Sequence, residues 1–514
     1  MKENKIGLIG LTAIGVGTMI GSGWLFSSFY AAKIAGPAAY IAWLITAFII
    51  LVLGLSLAEI SFNYPKRGLM ARLLVISHNK DFAFICTIAT WLGLTAVIAT
   101  EAEGSIQYLA SLSDTASAYL FNPDHSSLTS TGLGLAAIII LLFGVVNFWG
   151  VKVLSSSNVI LTTMKVLIPF ITAISIIAVS FHGSNFIVVG GNYAPYGTSS
   201  IFSAMISAGM VYSFNGFQNI ASFCSEAKDP KRDIVLAMVF SVLITLVVYL
   251  MLQTAFIGAL TINNLSHGWP GLDFTSPFVQ LTMMLNLNLM TIVLYVDAVI
   301  SPAGTGMIYT GSTTRMLTAM SQDRQAPKFF DKITKYNFSR RSLYATVSLA
   351  ILFLLLFRSW SSLVSFLSLF YVISYMSIPI CLGKLRINGI KSKFAIPFAN
   401  MVLPTMFVFL SILFTFSKFP NTGYVAIFVL FLYALYISKQ VSLDQGFFSV
   451  LKKSLPLVLH VVVLTILSSL SPVYYGGFDI LNTSAFYLLI VIWSLLVYFH
   501  AVYVYRSVPE TIVK

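Results

Sequence analysis

The chain is a nearly unbroken series of apolar stretches, most of them close to the length that crosses a bilayer, and this limits its possible folds more than any other feature. The stretches lie near 6–30, 37–62, 82–112, 132–149, 155–180, 201–225, 234–260, 281–318, 342–357, 360–385, 397–417, 422–438, 455–471 and 483–505, fourteen in all. Fourteen helices of about 20 residues would use roughly 280 residues. That is close to the 58% of 514 residues that are hydrophobic. Charged residues make up only 9%, against roughly 25% in a soluble domain. So few charges cannot cover a soluble surface, which excludes a soluble enzyme, a coiled coil, collagen and a disordered chain. The expected class is an all-α polytopic membrane protein.

The net charge of +13 would suggest nucleic acid in a soluble chain. In a membrane protein, basic residues collect in cytoplasmic loops. Of the 30 Lys and Arg, 26 fall at the N-terminus, in even-numbered loops or in the C-terminal tail. Only Lys33, Arg358 and Lys418 fall in odd-numbered loops, and Lys165 lies inside a span. The sorting predicts that both termini are cytoplasmic, and no nucleic acid is needed to explain the charge. Cys86, Cys224 and Cys381 sit in separate apolar segments, which argues against a disulfide or zinc framework. The first stretch lacks a small-residue cleavage site and further spans follow at once, so it does not read as a signal peptide.

Span one contains Gly15, Gly17, Gly21 and Gly23 together with Thr18 and Ser22. Glycine costs helix stability, and irregular backbone at membrane depth is tolerated only where it lines a cavity. The run fits either close helix packing through Gly17 and Gly21 or an unwound segment. Unwinding would present free N–H groups at the start of a second half-helix, suited to a carboxylate. Span six is interrupted in the same way, from Gly209 through Tyr212, Ser213, Phe214, Asn215 and Gly216 to Phe217 and Gln218. Breaks in spans one and six, five helices apart, match an inverted-repeat secondary transporter and favour unwinding.

At this point the chain resembles the amino acid–polyamine–organocation (APC) superfamily. The matching residues are Gly15–Phe26, Ala35-Gly36-Pro37-Ala38, Glu59 with Tyr64-Pro65 and Gly68, and Phe214-Asn215-Gly216-Phe217. They continue with Glu226, Asp229–Ile234, Arg315, Ala319-Met320 and Ala326-Pro327, so that the resemblance covers roughly 6–440. Ser225 departs from the second glutamate that many members carry. Fourteen spans, with Ser301–Gly306 in span eight, are similar to a bacterial subgroup that includes aspartate–proton symporters. The resemblance implies a LeuT-type five-plus-five inverted repeat with broken helices 1 and 6 and about four extra C-terminal helices. Its divisions would be 1–180, 201–385, 386–438 and 439–514.

Four charged residues lie well inside spans, away from their ends: Glu101, Glu103, Lys165 and Asp297. A charge at mid-bilayer costs about 3 kcal/mol on insertion scales, so each should face the bundle interior. Lys165 ranks first as a proton-coupling group, with a static ion pair as the alternative. The resemblance points the same way, because many relatives carry a span-five lysine where sodium-driven cousins hold Na⁺. Glu101 and Glu103 rank second, and point to different helix faces. Asp297 ranks third, and Glu59, near a span end, reads as structural.

The expected function is amino acid transport across the bacterial cytoplasmic membrane by proton symport with alternating access. Exchange of one amino acid for another, or polyamine transport, is the alternative. Backbone N–H groups near Gly21, Ser22 and Gly23 would take the substrate carboxylate. Carbonyls near Met19, Tyr212, Ser213 and Asn215 would take the amino group, and Phe214 and Phe217 would gate or line the site. No nucleophile constellation, phosphate loop or metal spacing is visible, so no cofactor, metal or enzymatic activity is expected. The partners are an amino acid, a proton and the lipid bilayer, with the oligomeric state open.

Overall fold

A computed structural model describes residues 5–65, 68–122, 127–149, 158–187, 194–334, 339–392, 394–441 and 446–505, the side chains of 158–161 excepted. Lys2, Lys66, Arg67, Lys152, Lys335, Lys393, Arg506 and Lys514 of the charge sorting, and His125, lie outside the described residues.

The apolar runs form helices, and short polar residues start many of them. The chain opens with α1 (Leu8–Met19), α2 (Gly23–Ala35), α3 (Ala39–Asn63), α4 (Leu69–Ser77) and α5 (Lys80–Ala110). Then come α6 (Asp114–Leu120), α7 (Ser130–Phe148) and α8 (Asn158–Val179). The second half begins with α9 (Thr198–Ser207), α10 (Met210–Ser213), α11 (Gln218–Ser222) and α12 (Pro230–Ala259). It continues through α13 (Pro277–Met284), α14 (Asn288–Gln322), α15 (Arg340–Leu356), α16 (Trp360–Tyr375) and α17 (Ser377–Ile387). The chain closes with α18 (Ala399–Thr415), α19 (Asn421–Val441), α20 (Phe447–Leu470) and α21 (Thr483–Phe499). Side chains of Asn79, Thr129, Asp229, Ser339, Ser359 and Asn482 accept backbone N–H groups at the starts of α5, α7, α12, α15, α16 and α21. Such caps satisfy donors that a helix start leaves open.

Among the described residues, ten helical stretches are long and apolar enough to cross a membrane. The longest, Gly23–Asn63, joins α2 and α3 through the 3-10 turn Gly36–Ala38. Helices α1, α15 and α18 are shorter, at 12, 17 and 17 residues. The apolar run expected at 281–318 divides into α13 and α14, where Asn286 adopts a left-handed φ of 56°. Asn tolerates that conformation better than most residues. The run at 360–385 divides at Met376, three residues before Pro379, whose missing N–H weakens the continuing ladder.

Helix α5 is the central post. Its apolar window is 94% buried, against 39% for α7, and it packs on α14 and α16. The outer face of α7 shows Leu135, Ile138, Leu141, Leu142 and Val145. An apolar exposed face with a polar-containing interior suits lipid contact, the inverse of a soluble helix. The last helices dock onto the core. Lys384 donates to the carbonyls of Val502 (3.1 Å) and Tyr505 (2.7 Å). Asp81 accepts from Tyr436 at 2.5 Å and pairs with Lys453 at 3.5 Å.

Candidate functional site

Two helix interruptions meet at the centre of the bundle. The first arises where Ile20 turns extended (φ −88°, ψ 96°), ending α1 at Met19 and letting α2 start at Gly23 with Ser22 as its N-cap. The second runs from Gly209 (φ 73°) through α10 to Gly216 (φ 123°). Glycine adopts such angles without steric cost. The breaks touch: Thr18 Oγ1 lies 3.2 Å from the Gly216 carbonyl oxygen. A Cβ on Gly216 would lie 2.7 Å from Thr18 Oγ1, and one on Gly23 would lie 2.7 Å from Ser213 Oγ. These glycines therefore permit the crossing as well as the bends.

Helix α5 delivers Glu101, fully buried, to this crossing. The Ser22 backbone N–H donates to Glu101 Oε2 at 2.8 Å, and the Tyr212 hydroxyl donates to Glu101 Oε1. Trp360 Nε1 donates to Ser22 Oγ at 3.1 Å, and Ser22 Oγ lies 2.9 Å from Tyr212 Oη. Indole N–H is a donor only. Ser22 Oγ therefore passes its own proton toward Tyr212, which points its proton at Glu101. All the donors run toward one carboxylate, reaching it from α16, the first break and the second break.

Lys165 approaches the same crossing from α8. Its Nζ donates to the Gly17 carbonyl at 3.2 Å and to Thr305 Oγ1 at 2.6 Å. The ammonium thus occupies an oxygen-lined seat at the end of α1, where the last carbonyls lack helical partners. It forms no ion pair with Glu101 or Asp297 among the described residues.

The structure brings Met19, Gly21, Ser22, Gly23, Tyr212 and Ser213 together around Glu101 and Lys165. The Met19 sulfur accepts from Thr245 at 3.4 Å, and a Cβ on Gly21 would collide with the Glu101 carboxyl. Ser213 Oγ pairs with Ser27 Oγ at 2.9 Å. Asn215 lies on the other side of the break, its Nδ2 donating to Tyr309 (2.8 Å) and Tyr371 (2.6 Å). Its Oδ1 accepts from Gln218 (2.7 Å) and Tyr375 (3.2 Å). Phe214 sits in an aromatic group with Trp43 and Tyr249, and Phe217 packs on Tyr375 and beside Gly54. Neither ring belongs to the Glu101–Ser22–Tyr212 cluster. Glu103 is fully buried on another face of α5, with both carboxylate oxygens lacking a hydrogen bond. Asp297 is buried on α14 with Oδ2 likewise unbonded.

Trp360, Thr305, Tyr309 and Tyr371 were not legible as site residues. For Thr305 a signal existed, a hydroxyl flanked by Gly304 and Gly306 inside a span. The others carry no local mark, because their partners lie far away in sequence; Trp360 and Ser22 are 338 positions apart.

Residues 6–439 match the family model described as "Amino acid permease". The glutamate/serine transporter AimA of Bacillus subtilis (strain 168) is 35% identical over 504 residues, covering 96% of this chain and 93% of the relative. The aspartate-proton symporter of the same organism is 29% identical over 512 residues, covering 98% and 96%. The cationic amino acid transporter 4, vacuolar, of Arabidopsis thaliana is 24% identical and covers 74% of this chain and 63% of the relative.

Proposed function

The chain belongs to the amino acid permease family, and from that premise we propose that it moves amino acids across the bacterial cytoplasmic membrane by proton symport with alternating access. It is an integral membrane transporter of amino acids, as its relatives are, and not an enzyme. The finer reading is a fourteen-span, five-plus-five inverted repeat, with repeats at 1–180 and 201–385, further spans at 386–438 and two more at 439–514. Both termini would be cytoplasmic, as the distribution of Lys and Arg predicts.

The observation that carries the site assignment is the crossing of the two breaks, where the Ser22 N–H at the start of α2 holds a carboxylate. A substrate carboxylate has the same chemistry. In this reading the amides near Gly21, Ser22 and Gly23 bind it, and carbonyls near Met19, Tyr212, Ser213 and Asn215 bind the amino group. Phe214 and Phe217, packed on Trp43, Tyr249 and Tyr375, would gate or line the site. Lys165 and the buried carboxylates Glu101, Glu103 and Asp297 carry the proton coupling. The activity of one relative, an aspartate-proton symporter, favours coupling to H⁺. Motion is inexpensive at the breaks, where helical hydrogen bonds are already absent.

The test is uptake into proteoliposomes from a panel of labelled amino acids, with and without an inward proton gradient. Gradient-driven accumulation is the expected result. Uptake that ignores the gradient and requires internal amino acid would replace symport with exchange.

A further inference from the structure

The seat assigned to the substrate carboxylate is already filled. Glu101 takes the Ser22 amide at 2.8 Å and the Tyr212 hydroxyl, the donors that an incoming carboxylate would need. The carboxyl is closely packed on the Gly21 side, where even a methyl group would overlap it. Two carboxylates cannot share one amide in a buried site without strong repulsion. Lys165 lies within electrostatic reach of Glu101, but its ammonium donates to Gly17 and Thr305 and so offers no replacement donor to a second carboxylate.

We propose that Glu101 is an internal stand-in for the substrate carboxylate, and that an amino acid binds only when Glu101 takes up a proton and leaves the Ser22 amide. The inference rests on the transport reading above and deepens it. In the exchange, one O–H bond forms on Glu101. The Ser22 N–H hydrogen bond passes from Glu101 Oε2 to the substrate, and one negative charge replaces another. Substrate and proton therefore enter together. Coupling follows from competition for a single backbone donor, with Tyr212 and Ser22 turning from the outgoing carboxylate to the incoming one. Other ionisable groups within electrostatic reach of Glu101 are Lys165 from α8, Tyr249 from α12, Tyr309 from α14 and Tyr371 from α16, with Asp297 acting through Lys165. None of these bonds to the Glu101 carboxylate; the ionisable group that does is Tyr212, from α10.

The experiment measures binding of labelled glutamate, aspartate, serine and arginine to the purified full chain between pH 5.5 and 8. The same samples are followed by infrared difference spectroscopy. The wild type should bind a substrate more tightly as pH falls, by up to about tenfold per pH unit while one proton is taken up. Binding should also produce a new protonated-carboxyl band. Glu101→Gln should bind with affinity independent of pH and lose that band. A flat wild-type pH profile, or a band unchanged in Glu101→Gln, overturns the inference while leaving amino acid transport intact. Failure of every amino acid to bind at any pH overturns both readings. Should Glu101→Gln not fold, the wild-type band decides alone: its absence on substrate binding overturns the proposal.

Discussion

Lys165 Nζ donates to Thr305 Oγ1 at 2.6 Å, joining α8 to α14 beside the end of α1. An ammonium held by a hydroxyl and the Gly17 carbonyl, with no carboxylate bonded to it, is a cation seated on two oxygen dipoles. Lys165→Ala should abolish gradient-driven accumulation while leaving exchange. The loss should be on the order of tenfold or more, the value of one hydrogen bond to a charged group. Counterflow and gradient-driven uptake in the same proteoliposomes separate the two. Accumulation that survives the change would remove the proton role from Lys165.

The crossing of the two breaks should be intolerant of side chains. Gly216→Ala forces a φ of 123° on an L-residue and places a Cβ 2.7 Å from Thr18 Oγ1. Strain of about 1–3 kcal/mol should appear as a lower thermal midpoint in detergent. Transport should fall with it. An unchanged midpoint would mean the breaks do not pack as described.

Away from the breaks, Glu59 on α3 is held by Arg386 on α17 through bonds of 2.8 and 2.6 Å. The Ile396 N–H donates to the same carboxylate at 2.8 Å. Glu59 is 3% exposed. Arg386→Leu strands a buried charge and should cost about 3–5 kcal/mol. Glu59→Gln combined with Arg386→Leu should cost clearly less than the two single changes added together. A double-mutant cycle on unfolding free energy checks this, and additive losses would show the pair to be independent.

Acid should weaken the fold through His78, which lies between α4 and α5. Burial, with Lys384 adding to it, pushes its imidazole down to about 4 from an ordinary 6.5. The folded state therefore holds the ring neutral. Stability is fully present above pH 6.5 and is lost as pH falls toward 4, by on the order of 3 kcal/mol at most. Comparing unfolding midpoints at pH 7.5 and 5 should show a smaller acid loss in His78→Gln than in the wild type. Equal losses would assign the acid sensitivity elsewhere.

Much of the fold was legible because bilayer physics acts on local sequence. Runs of apolar residues must become helices when no water is present to bond the backbone. The glycines of span six marked its interruption, since Gly209 and Gly216 take angles that other residues resist, whereas in span one the glycines flank a break made at Ile20. The division of 281–318 was not legible, because one left-handed Asn286 leaves no trace in hydropathy.

The sequence by itself determined the membrane class, the family and the two breaks. It also singled out the four buried charges, each a costly residue in an apolar run. Only the tertiary structure decided what each charge faces. Residues two apart on a helix point about 200° apart, so Glu101 reaches Ser22 and Tyr212 while Glu103 faces away from both. Hydropathy does not encode that rotation. It is set by how α5 packs against α14 and α16, through contacts between residues more than a hundred positions apart.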